Sequence, residues 1–307
     1  MENSTKTENP AKTITTKKEF YQQFKKKSNA SELTARFLKN KTAVLGLIIF
    51  VVIVLLAIGA PLLADYQNDA IRLDIANRLQ SPGNGHIFGT DEMGRDIFAR
   101  VVFGARISLT VGISSVVVAL LVGGSLGAVS GFYGGKIDNF IMRVMDVFLC
   151  LPDVLLALAI IATFGVSKMN LVISIGLSFA PKFSRIVRSA VMGVRGNEYI
   201  EAARSIGAKD GYIIIHHAIV NCMGPIIVQV TLYVASAILT ISGLSFLGLG
   251  IQAPTPEWGN MLASGRAFMR DEAYIVMAPG LAIFCTILSL NLLGDGLRDA
   301  LDPRLKQ

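Results

Sequence analysis

Residues 42–64 run for 23 positions without a charged side chain. A helix of about 20 apolar residues is what crosses the hydrocarbon core of a bilayer, and in water such a helix would expose apolar surface on every side. The signal recurs along the chain. Residues 107–135 are uncharged for 29 positions, 147–167 hold a single acid, Asp153, and 273–294 hold no charge. Residues 169–181 are shorter, but a helix there gains length by continuing toward Lys182 and Arg185, whose stems lie along apolar surface while the charge reaches water. Residues 211–256 are uncharged throughout. His216, His217, Asn221 and Pro225 make the start of that run a poor lipid-facing helix, which leaves one span at 225–250. Only 17% of the residues are charged, against about a quarter in a soluble domain, which excludes a water-soluble enzyme and a disordered tail protein. The expected fold is all-α, an integral membrane protein of six transmembrane helices.

Six spans put both termini on one side of the membrane, and basic residues name that side. The segments 1–41, 136–146, 182–211 and 295–307 carry 21 Lys and Arg, and the opposite segments carry 8. The first set is therefore expected in the cytoplasm. A 41-residue leader before a 23-residue apolar run exceeds the pattern of a cleaved signal peptide, so the first run reads as a retained anchor. Lys25, Lys26 and Lys27 fit topology and anionic lipid, with no second signal for nucleic acid. Residues 20–37 are expected to lie on the inner leaflet as an amphipathic segment.

Chemistry is sparse. No P-loop is present: the nearest miss ends at Gly135-Lys136, with Ser130 where the first Gly is required and Ile137 at the hydroxyl position. If ATP drives this protein, another chain binds it. Adjacent His216 and His217 cannot share a helix face as zinc ligands spaced four apart would. Cys150, Cys222 and Cys285 form no C-x-x-C and read as packing residues. An intramembrane aspartyl protease would need Asp153 and Asp295 facing each other, and Leu292 stands where its G-x-G-D context needs Gly. No catalytic or metal residue is assigned. Asp153 is the one candidate intramembrane polar site, read as sitting near the cytoplasmic end beside Pro152, where water or a helix terminus satisfies it. An ion-gradient transporter would use such a group, but it usually needs more of them and often repeated halves.

Gly123, Gly127, Gly131 and Gly135 recur every fourth residue, a flat strip for close helix contact. On the cytoplasmic side, Asn197 can cap a helix whose first turn holds Glu198 and Glu201 and whose end suits Gly207. Tyr199, Ala203 and Ile206, with Ile200 beside them, are expected to form an apolar stripe. By spacing alone, that stripe fits a partner's groove or the chain's own bundle equally.

Glu201-Ala202-Ala203 followed by Gly207 resembles the E-A-A-x-x-x-G signature of permease subunits in bacterial ATP-binding-cassette importers. Further stretches resemble one branch of them, the DppC/OppC type of dipeptide and oligopeptide importers: Gly89-Thr-Asp-Glu-Met-Gly-Arg-Asp96; Phe132-Tyr-Gly-Gly135 with Asp138, Arg143, Asp146 and Leu151-Pro152; Gly248-Leu-Gly250 through Pro254 to Trp258-Gly-Asn-Met261; and Leu293-Gly-Asp-Gly-Leu-Arg-Asp299. Taken alone, Thr90-Asp91-Glu92 reads as a helix start. Where the family pattern commonly carries a Pro after the loop, this chain has His217-Ala218-Ile219-Val220. The resemblance implies the type I importer permease fold, with a coupling helix at Glu201, Ala202, Ala203 and Gly207. It implies a second permease subunit completing the path, two nucleotide-binding subunits holding ATP and Mg, and an extracytoplasmic binding protein docking on segments 65–106 and 251–272. The cargo it implies is a dipeptide or oligopeptide, with nickel or metal chelates carried by similar permeases.

Overall fold

A computed structural model describes residues 29–83 and 85–301. Residues 20–28 of the expected leaflet-bound segment, with the rest of the first 28 and the tail past 301, lie outside them. The described residues are helical, joined by turns, with two isolated β-bridges and no strand.

Asn40 separates α1 (Asn29–Lys39) from α2 (Lys41–Leu63). Its side-chain oxygen accepts from the N–H groups of Thr42 and Ala43 at 3.1 and 3.2 Å, which satisfies donors that a helix start leaves unpaired. Leu45, Ile48, Leu55, Ile58 and Leu62 of α2 are exposed, as suits a helix bordering lipid. α3 (Ile97–Ala119) continues through a π turn at Leu120–Gly124 into α4 (Ser125–Tyr133), one helical rod of 37 residues. It begins ten residues before the expected 107 because Asp96 caps it, accepting from Ala99 N at 2.8 Å. Arg100, within its first turns, is buried in the protein, while Arg106 stays exposed.

The expected span at 147–167 is not one helix. α5 (Gly135–Leu149) stops, the chain bends by 87°, and α6 (Asp153–Phe164) restarts. Pro152 offers no N–H and disfavours helical backbone at the residue before it, while Asp153 suits the positive start of a new helix. α7 (Lys168–Val194) then runs 27 residues straight through Pro181. After α8 (Glu198–Ser205) and α9 (Asp210–Ile213), the chain enters α10 (Met223–Phe246), the short α11 (Trp258–Gly265) and α12 (Tyr274–Leu301).

Among the described residues, four helices are long and apolar enough to cross a membrane: α2, the α3–α4 rod, α10 and α12. The bent α5–α6 pair would make a fifth. α7, expected as the fourth of six spans, has the length but carries Lys182, Arg185 and Arg188. In the bundle, α7 packs on α3, α4 and α6, α10 joins α3 to α12, and α2 lies outside on α12 and α3. The main core gathers Ile97, Ile175, Phe179, Phe183, Ile238, Ile241 and Trp258. A second cluster, under α8, holds Phe132, Val187, Val191, Ile200, Ala203 and Ile213.

Candidate functional site

α8 stands on that second cluster. Ile200 and Ala203, one turn apart, point inward and are buried, and the Arg204 guanidinium lies over the Phe132 ring, 4.9 Å from its centroid. Glu198, Glu201 and Ala202 are exposed, and Ile206 is 85% exposed. The expected stripe of Tyr199, Ala203 and Ile206 therefore divides, because Ile206 is already the C-cap and has left the helical spiral. Asn197 has the extended backbone of a cap, but its side chain makes no cap bond and its Nδ2 donates to Tyr199 Oη at 3.3 Å. Gly207 closes the helix with φ +83, and Ala208 N donates back to Ala203 O at 3.1 Å. That left-handed closure is where Gly is cheapest. The result is a short helix fixed on its inner side and presenting two acids, Ala202 and Ile206 outward.

The glycine strip meets α7. A Cβ on Gly123 would fall 2.0 Å from Ala180 O, on Gly127 2.3 Å from Ser184 O, and on Gly131 2.7 Å from Arg188 O. The fourfold spacing of the glycines thus faces the same spacing on α7. Gly135 lies past the end of α4, with φ +55 and no atom within 4 Å of a Cβ, so it takes no part in that contact.

Three bases of α7 each meet one acid of the α5–α6 elbow. Arg188 holds Asp138 through two bonds of 2.5 and 2.6 Å, and the Ser130 hydroxyl also donates to Asp138. Arg185 reaches Asp146 at 2.7 Å and Lys182 pairs with Asp153. Asp153, expected to be satisfied by water or a helix terminus, is held by this side chain instead. Asp295 is exposed on α12. Among the described residues no cluster of potential metal ligands occurs. His216 stacks on Tyr212 at 4.2 Å, and the three cysteines are free.

At the other end of the bundle, Thr90-Asp91-Glu92 is a buried turn rather than a helix start. The Thr90 hydroxyl donates to Asn77 O at 2.6 Å and accepts from Gln80 N at 2.8 Å. Asp91 takes Arg95 at 2.7 Å and Arg100 at 3.3 Å, and Arg100 also donates to the carbonyls of Ala70 and Pro254. At Gly94, with φ +77, a Cβ would lie 1.7 Å from Asp74 O. Sequence reading missed this arrangement. The alternation of Asp and Arg around two glycines within eight residues is the signal that a folded turn leaves. Trp258, 1% exposed, donates to Val101 O at 2.9 Å. Glu257 caps α11, accepting from Gly259 N and Asn260 N, each at 2.8 Å. Burial pushes the Glu257 carboxyl up, opposed by those N–H groups and by the Ser108 hydroxyl.

A raised acid in the folded state holds its proton above the pH at which the unfolded chain releases it. Its contribution to stability is greatest below the ordinary Glu range and falls as pH rises toward the folded value. The difference in melting temperature between wild type and Glu257→Gln in detergent should therefore change across that window. A constant difference would contradict the shift.

Residues 123–307 match the family described as the binding-protein-dependent transport system inner membrane component, and residues 28–82 match the N-terminal TM domain of oligopeptide transport permease C. The chain is 48% identical to the dipeptide transport system permease protein DppC of Alkalihalophilus pseudofirmus, over 87% of this chain and 88% of that protein. It belongs to this permease family. The di/tripeptide permease DppC of Pseudomonas aeruginosa is 44% identical, over 91% of this chain and 93% of that protein. The glutathione transport system permease protein GsiD of Pectobacterium atrosepticum is 41% identical, over 90% and 91%. A chain of the MetNI methionine ABC transporter, solved in inward-facing conformations, superposes with a TM-score of 0.55 at 15% identity, covering 66% of this permease and 96% of that chain. That likeness shows the fold, the type I importer permease fold. Permeases of this family are non-catalytic membrane components, and the family description and the apolar helices make this one a multi-pass inner-membrane protein.

Proposed function

We propose that this permease is one of two membrane subunits of an ATP-driven peptide importer, supplying half of the translocation path. α7 completes a set of six spans with both termini in the cytoplasm. Two ATPase subunits, which bind ATP and Mg, sit below, and the extracytoplasmic segments 65–106 and 251–272 receive a peptide-loaded binding protein. ATP binding closes the ATPase pair, pushes α8, and opens the bundle outward. Hydrolysis then resets it.

The observation that carries this reading is α8 itself. Its inner side is locked by Ile200, Ala203 and the Arg204–Phe132 contact, while Glu201, Ala202, Ile206 and Gly207 are left uncovered by this chain. A helix so fixed moves its bundle when pushed. The dipeptide, di/tripeptide and glutathione names of its relatives support a peptide as cargo.

Tagged protein purified in gentle detergent should bring down a second permease and P-loop ATPases with ATPase activity. Glu201→Lys and Gly207→Asp should lose the ATPases and reduce peptide uptake to background, while membrane insertion is kept. Wild-type uptake and ATPase coupling in both variants would overturn the coupling role. Wild type that purifies alone and inactive, even after crosslinking in the membrane, would overturn the importer reading.

A further inference from the structure

The Lys182–Asp153 pair differs from its two neighbours on α7. Asp138 is saturated by Arg188 and Ser130, and Arg185–Asp146 is largely exposed, with side chains 57% and 49% accessible. Lys182 and Asp153 are 36% and 25% accessible and share one hydrogen bond. No other hydrogen bond to either charged group occurs among the described residues, so Lys182 keeps two unused donors and Asp153 an unused oxygen. Aromatic rings border the pair: Phe179 lies 5.9 Å below the ammonium, and Tyr233 packs on Phe179 and Phe183, with its ring centroid 5.2 and 4.8 Å from theirs. Gln229 sits one turn before Tyr233 on α10.

Depth sets what such a pair can face. α6 has 12 residues, so at 1.5 Å per residue Asp153 lies about 18 Å from the α6–α7 turn. Lys182 lies 14 residues from the start of α7, about 21 Å along it. With the α6–α7 turn at one face of a hydrocarbon core of about 30 Å, both fall between its two faces. Partly open charges at that depth border protein or water rather than lipid. The 87° break beside Asp153 points the same way, because irregular backbone at membrane depth is tolerated where it is buried in protein or lines a water-filled cavity.

We infer that Lys182 and Asp153 form a peptide-contacting station on the water-filled path, Lys182 taking the terminal carboxylate of the cargo and Asp153 its terminal ammonium. The inference rests on the peptide-importer reading. A zwitterionic peptide matches the open pair in sign and supplies the acceptors and donors that the pair leaves unused. The opposed charges also release it, since Lys182 and Asp153 re-form their own bond as the peptide leaves.

The test uses the complete importer in proteoliposomes with its binding protein, and trialanine as cargo. Lys182→Met and Asp153→Asn should each lower uptake about tenfold, the size of one charge-assisted hydrogen bond, with the ATPases still bound. The exchanged pair Asp153→Lys with Lys182→Asp restores an ion pair but reverses the order of charges along the path, and uptake should stay low. Full recovery in the exchanged pair, or wild-type uptake in the single variants, would make the pair a structural brace and overturn the station. A second readout does not depend on the exchanged pair folding. With Cys150, Cys222 and Cys285 replaced by Ala and the pair intact, Gln229→Cys should react with a charged methanethiosulfonate reagent from water, and trialanine should slow that reaction at least threefold. An inert thiol, or one indifferent to trialanine, overturns the station. Wild type that imports no trialanine fails the peptide reading instead.

Discussion

Gly127→Leu should leave no monodisperse permease in detergent, and Gly123→Ala and Gly127→Ala should each lower the melting temperature. The cause is the identity of the atoms that a new Cβ would meet. They are main-chain atoms, Ala180 O at 2.0 Å and Ser184 O at 2.3 Å, and a main chain cannot rotate aside as a side chain can. α4 and α7 would have to separate by more than 1 Å to reach ordinary contact near 3.5 Å. In lipid this loss is serious, since helices there are held by close packing and polar contacts rather than by exclusion of water. Overpacking of this kind costs about 1–3 kcal/mol for small additions, and Leu adds three further carbons. Separation would also pull Arg188 from Asp138 and Arg195 from Gly131 O, bonds that require α7 against α4 and α5. Gly193→Ala is the control. It lies in α7 with nothing within 4 Å of its Cβ, so Ala should hold or slightly raise stability. Size-exclusion thermal melts would decide it, and a Gly127→Leu protein that melts like wild type would refute the seam.

The glycine strip was legible because a period of four on a membrane helix has one geometric meaning, down to Gly131. Gly135 broke the pattern for a reason visible only in three dimensions, two consecutive left-handed glycines at 134 and 135 that end α4. The apolar runs gave α2 to within a residue and the starts of α10 and α12 to within two, but α10 ends four residues before the expected 250 and α12 runs seven past the expected 294. Hydropathy reports what a bilayer requires of each helix alone. It could not give the α5–α6 elbow. Residues 147–167 are apolar enough for a span, and the break depends on one proline whose effect is overridden at Pro61, Pro181 and Pro279, all inside helices. Pairing was the other blind spot. Asp153 was visible, but its partner is 29 positions away, and Arg95 and Arg100 read as loop charges because burial of a charge depends on what the fold brings to it. α8 was half legible: its length and its ends follow from local rules, whereas the division of its apolar residues between Ile200 and Ala203 inside and Ile206 outside depends on the bundle beneath.

Asp91→Ala should be the most damaging single change on the far side of the molecule. Asp91 is buried, and its carboxylate holds Arg95 and Arg100 together while accepting the N–H groups of Met93 and Arg95. Without it, Arg95 keeps only Glu92, at 3.2 Å, and Arg100 keeps only backbone carbonyls, two guanidinium groups 5% and 2% exposed. Removing one partner of a buried ion pair costs about 3–5 kcal/mol, much of it the charge left behind. Arg100→Met should cost less, because Asp91 keeps Arg95 and two backbone donors. The double variant should cost clearly less than the sum of the two singles, as expected for side chains that share a contact. The site of the damage also predicts its functional form. Arg100 binds Ala70 O and Pro254 O, so this cluster joins the segments proposed to receive the binding protein, while α8 stands at the opposite end of the rod. Asp91→Ala protein should therefore keep its co-purifying ATPases yet lose peptide uptake and become sensitive to protease within 65–96, the reverse of the Glu201→Lys pattern. Loss of the ATPases together with uptake would mean that the two ends of this permease do not fail independently, and the extracytoplasmic cap would then have to be counted as part of one cooperative unit with the coupling helix.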